Sequence, residues 1–99
     1  MRAKAWSNGK GVYGIRVGTQ NRTEFFDKSW REIEVEIEGE VRRFRLTGGF
    51  WRDCPEFRDR GAPVIREWLR QYRTLEWPER EPPEVELIAL GGNRFQLVR

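Results

Sequence analysis

Apolar and polar positions alternate most clearly from Glu32 to Thr47. There Ile33, Val35 and Ile37 are interleaved with glutamates, and Phe44 and Leu46 with arginines. A period of two with a glycine in the middle predicts a β-hairpin with one buried face. Placing the turn at Gly39-Glu40 sets Ile33 opposite Leu46 and Val35 opposite Phe44, with Glu34–Arg45 and Glu36–Arg43 on the other face. A turn at Glu38-Gly39 suits type I′ chemistry better but sets Val35 opposite Arg42, so the first register is expected.

The remaining elements follow from the same patterns. Val12 to Val17 places Tyr13, Ile15 and Val17 on one face and predicts a strand, after a short start at Ala3–Trp6 and a turn-rich Ser7-Asn8-Gly9-Lys10-Gly11. Asn21 to Phe26 reads as a single helical turn capped by Asn21, with Glu24 at its third position and Phe25 and Phe26 anchoring it to the core. Asp53-Cys54-Pro55-Glu56 resembles a helix start with proline at the first position, interrupted by Gly61. From Pro63 to Arg73, Val64, Ile65, Trp68, Leu69 and Tyr72 recur at helical spacing, which makes this the principal amphipathic helix. Trp77-Pro78 to Pro82-Pro83 must be extended or turning. Val85 to Leu90 and Arg94 to Val98, around Gly91-Gly92-Asn93, form a second hairpin whose nearly continuous apolar first strand suggests burial on both sides.

These elements predict one α+β domain over residues 1–99, a curled, mostly antiparallel sheet or partly open small barrel of about five strands with one packed amphipathic helix. At the level of fold alone, such a short mixed barrel with a covering helix resembles RNA- and DNA-binding pseudobarrels.

Composition sharpens the picture. Five Trp, six Phe and two Tyr sit in a chain that is only 37% hydrophobic and 35% charged, so a few large rings must supply much of the core. Cys54 is the only cysteine, which excludes an intramolecular disulfide. The amino-terminal segment lacks the apolar stretch of a signal peptide, and no run is long enough to span a bilayer, so cytoplasmic residence and no membrane partner are expected.

Chemistry narrows further. The chain has no histidine, the usual base for serine and cysteine nucleophiles and the commonest metal ligand. Asp53, Glu56 and Asp59 would share one helical face, yet Arg52, Arg58 and Arg60 beside them favour ion pairing over a cation or an acid/base pair. Gly9, Gly11 and Gly14 do not open a helix, as a phosphate-cradling loop requires. No catalytic residues, metal ligands or cofactors are expected, and the protein is read as not an enzyme.

Charge is what remains. The net charge is +3, and sixteen of the nineteen basic residues are arginine. Basic segments at 1–31, 41–73 and 87–99 alternate with acidic ones at 32–40 and 74–86. Asn21-Arg22 and Phe50-Trp51-Arg52 join Arg with polar and aromatic groups away from any apolar stripe, and Arg16 and Asn93-Arg94 join them if the strand ends converge. Arg grips phosphate in bidentate fashion and Trp stacks on bases. The expected function is noncatalytic binding of DNA or RNA, single-stranded or flexible, through Arg16, Asn21, Arg22, Trp51, Arg52 and Arg94. The bland reading takes Phe50 and Trp51 as core anchors with the arginines paired to local acids, and the competing function is a protein-interaction or homo-oligomeric module that presents Trp and Arg side chains, with Trp77 either covering the barrel end or meeting a partner.

Overall fold

The computed structural model describes residues 1–99. Seven strands and two helices follow one another as β1 (Arg2–Ser7), β2 (Tyr13–Arg16), α1 (Gly18–Phe25), β3 (Glu32–Ile37), β4 (Glu40–Arg45), β5 (Glu56–Arg58), α2 (Val64–Tyr72), β6 (Glu84–Gly91) and β7 (Arg94–Val98). The strands form one sheet in the order β4-β3-β7-β6-β1-β2-β5, in which only the β3–β7 pair is parallel. The sheet curls until its edge strands face each other. Phe44 of β4 and Phe57 of β5 meet across that seam with ring centroids 5.1 Å apart. The result is an α+β, nearly closed barrel with nineteen buried apolar residues inside.

Five strands become seven because two strands lack a clear pattern. In β1 the inward positions are Ala3 and Ala5, which bury little area each and alternate with Arg2, Lys4 and Trp6. β5 is three residues long, too short to display a period, and Pro55 suits the start of an edge strand as well as a first helical turn. The expected helix at Asp53–Glu56 is therefore absent, and Asp53, Glu56 and Asp59 share no helical face.

The one-helix expectation also changes. α1 spans two turns rather than one, with Asn21 inside it and Val17 at its N-cap position. It buries none of its own residues, so it leaves no apolar stripe to read. Phe26 enters the core while Phe25 is 37% exposed.

The first hairpin turns at Glu38-Gly39, both with positive φ (54° and 80°), which is the type I′ geometry. Ile33 therefore faces Phe44, Glu34 faces Arg43 and Val35 faces Arg42. Arg42 is tolerated on the inner side because β4 is an edge strand, and its guanidinium reaches the rim to pair with Glu40 at 2.6 Å. The second hairpin forms where expected, but Val85 and Leu87 point inward while Ile88 and Leu90 are exposed, so β6 is buried on one face only.

α2 lies where the sequence places it, with Ile65, Trp68 and Leu69 buried. It covers the barrel end at which β3 and β7 finish and β2 begins: Arg99 pairs with Glu38 and lies 4.9 Å over the Tyr72 ring, and the Tyr13 hydroxyl donates to the Leu75 carbonyl at 2.9 Å. α1, Trp30 and the turn after β4 occupy the opposite end, where Phe26 packs on Phe50 and Phe95. No helix is long and apolar enough to cross a membrane.

Candidate nucleic-acid interface

On the outer face of the sheet, Trp6 of β1 and Arg58 of β5 both stand opposite Gly14 of β2. With no side chain between them, they meet across it, and the Arg58 guanidinium carbon lies 4.5 Å from the Trp6 ring centroid. Gly14 is fixed by the close approach of β5: a Cβ there would stand 2.3 Å from the Phe57 carbonyl oxygen. Two residue pairs along, on the same face, Lys4 and Arg16 are direct cross-strand neighbours.

Trp6, Lys4 and Arg16 form one wall of an open groove of about 940 Å³, whose other wall comes from the segment after α2. That segment contributes Leu75, Glu76, Trp77, Arg80 and Pro82. Tyr13 stands edge-on to Trp77 at 6.2 Å and holds it against the barrel end. The prolines explain why this segment stays irregular, and the positive φ of Arg80 (68°) marks the turn that brings its side chain back to the groove. Lys4, Arg16 and Arg80 face a single carboxylate, Glu76, among the lining residues. Lys4 and Arg80 form no ion pair. The half-buried Trp6, Tyr13 and Trp77 give the groove aromatic surface beside that positive charge.

Arg16 also contacts Glu56, the one charged residue in the buried set at 4% exposure. Its Nη2 lies 3.2 Å from Glu56 Oε2, and Arg58 Nη2 lies 3.4 Å from Oε1. A carboxylate under two guanidiniums is compensated, and it fixes where both cations stand.

The six residues expected from the sequence are placed as follows. Arg16 is at the end of β2, Asn21 and Arg22 in α1, Trp51 and Arg52 in the turn after β4, and Arg94 at the start of β7. By strand direction these positions gather toward the α1 end of the barrel. Several of the side chains are already engaged. Asn21 Nδ2 donates to the carbonyls of Arg2 (2.8 Å) and Val17 (3.0 Å), tying α1 to β1. Arg22 Nη1 donates to the carbonyls of Phe50 (2.7 Å) and Arg52 (3.1 Å), and so holds the turn after β4. Trp51 packs edge-on against Phe50 at 5.0 Å and remains half-buried. Arg52 is exposed and lies over Gly48, and Arg94 pairs with Glu34 at 3.1 Å.

Sequence reasoning missed Lys4, Trp6, Tyr13 and Arg80 as groove residues. Their common location depends on β1–β2 pairing and on the return of a proline-rich loop more than sixty positions away, and no local pattern encodes either. Trp77 was legible as a choice between cover and partner surface, and it does line the groove while contacting Tyr13. No group of three His, Cys, Asp or Glu side chains is arranged to hold a metal ion. Comparison of the chain with protein-family models, curated proteins and solved structures finds no match.

Proposed function

We propose that this protein is a noncatalytic nucleic-acid-binding module, of accessory or regulatory type, whose interface is the groove between β1–β2 and the segment after α2. The observation that carries this reading is the coincidence in one concave surface of Trp6, Tyr13 and Trp77 with Lys4, Arg16 and Arg80. Cations that track a phosphate backbone beside rings that accept bases are the two requirements of single-strand recognition. Arg16 belongs to this interface, whereas Asn21, Arg22, Trp51, Arg52 and Arg94, gathered toward the α1 end, lie outside it.

The test is a titration with short single-stranded DNA and RNA at ~50 mM salt, where phosphate contacts are strongest, read by tryptophan fluorescence. Quenching that weakens steeply with added salt supports the reading. No response to either polymer removes it.

A protein-interaction or homo-oligomeric module is the second reading, favoured by the exposed Val41 and Ile88. They lie in one cross-strand row of the outer face, separated by Glu36 and Gln96. Concentration-dependent dimerisation weakened by Val41→Lys or Ile88→Lys, without any oligonucleotide response, supports it.

A further inference from the structure

The barrel does not close by hydrogen bonds between β4 and β5, and on its outer side the seam opens into a cleft of about 260 Å³. Arg45, Thr47, Arg58 and Arg60 line it around the buried Glu56 carboxylate. Glu56 is paired with Arg16 and Arg58. Arg45 and Arg60 are exposed and have no ion-pair partner. One carboxylate thus stands among four guanidiniums, and the surplus positive charge is concentrated where side chains from two edge strands meet.

Two side chains link this cleft to the groove described above. Arg58 reaches from the cleft onto the face of Trp6, and Arg16 reaches from the groove to Glu56. Glu56 is the hinge of the arrangement, because it holds one cation toward each side.

Resting on the nucleic-acid reading of the groove, we propose that the seam cleft is a phosphate subsite and that the ligand is a single strand. One base stacks against the groove aromatics while a neighbouring phosphate lies between Arg45 and Arg60. Guanidinium forks match phosphate oxygens two at a time, and the Thr47 hydroxyl adds a donor. A duplex keeps its bases stacked inside and offers no ring to Trp6 or Trp77, whereas an unpaired base has a free face.

The experiment compares the wild type with Arg45→Gln/Arg60→Gln in titrations with a short single-stranded oligonucleotide across a salt series, with circular dichroism confirming the fold. Both arginines are exposed, so the double variant retains the barrel. The expected result is weaker binding with a salt slope smaller by roughly 0.7 for each phosphate that the variant no longer neutralises, and unchanged fluorescence quenching at saturation. If the wild type binds the oligonucleotide and the double variant binds it with the same affinity and slope, the cleft is not a phosphate subsite while the groove reading stands. If a blunt duplex of the same sequence, or poly-glutamate, binds as tightly with the same dependence on Arg45 and Arg60, the assignment to a single strand is overturned. If the wild type binds no oligonucleotide, the groove reading and this subsite fall together.

Discussion

Trp6 and Arg58 belong to strands that are not neighbours, yet the guanidinium lies over the indole because the residue between them is Gly14. The same glycine lets β5 approach β2 so closely that a Cβ would overlap backbone atoms, at 2.3 Å from the Phe57 carbonyl oxygen and 2.9 Å from the Arg58 Cα. A single missing side chain therefore sets both the edge-strand pairing and one wall of the groove.

Gly14→Ala is expected to destabilise the protein by about 3 kcal/mol, at the upper end of overpacking costs, because rigid backbone rather than a flexible side-chain tip must give way. Chemical denaturation measures the loss. A cost below about 0.5 kcal/mol would mean that β5 does not sit against β2 as described.

α2 supplies a second prediction. Trp68 is 3% exposed, and its Nε1–H has no acceptor. Trp68→Ala should cost on the order of 3–5 kcal/mol, whereas Trp68→Phe should cost far less, since it keeps a ring and removes an unsatisfied donor. Arg70, exposed and paired only with Glu67 within the helix, should tolerate alanine with a loss of at most about 0.5 kcal/mol. Equal losses at Trp68 and Arg70 on unfolding would place the helix in a different rotation.

Asp59 is the third. Its carboxylate oxygens accept from the backbone N–H groups of Ile65 (2.8 Å) and Arg66 (3.0 Å), capping α2 from the end of β5. Asp59→Ala should therefore cost about 1–2 kcal/mol, and Asp59→Asn, which keeps an acceptor, distinctly less. Burial nonetheless pushes the Asp59 carboxyl above the ordinary aspartate range, outweighing those N–H bonds. The folded protein then binds this proton more readily than the unfolded chain does. Its contribution to stability is fully present below the unfolded value and is lost as pH rises through the raised folded one. Carboxyl titration by NMR checks the direction. A value below the ordinary range would contradict it.

How far the sequence revealed this fold depended on whether each element buried a face of its own. α2 and the alternating strands β3, β4 and β7 were legible because they do. The hairpin register was not, since a shift of two residues preserves every inward and outward assignment, and only the positive φ values at Glu38 and Gly39 separate the two pairings. α1 and β5 were misread for the opposite reason: α1 buries no residue of its own and β5 has only three positions. In the candidate interface, Arg16 was found because its strand was found. Trp6 and Lys4 were missed with β1, and Arg80 because a loop return has no periodicity.

The hairpin offers a fourth prediction. Glu34 lies opposite Arg43 at 3.7 Å and also meets Arg94 at 3.1 Å. A double-mutant cycle on Glu34 and Arg43 should give a coupling of at most about 1 kcal/mol, as expected for partly exposed pairs. The same cycle on Glu34 and Arg45 should give less. The reverse order would restore the register with its turn at Gly39-Glu40.

Whether the groove, rather than the turn after β4, receives nucleic acid can be read directly from the five tryptophan indole N–H signals. In a two-dimensional NMR titration with a short single-stranded oligonucleotide, the Trp6 and Trp77 signals should move with salt-sensitive affinity. Trp68, on the buried face of α2, and Trp30 and Trp51, at the opposite end of the barrel, should stay in place. Binding that shifts Trp51 while Trp6 and Trp77 remain unmoved would contradict the groove reading.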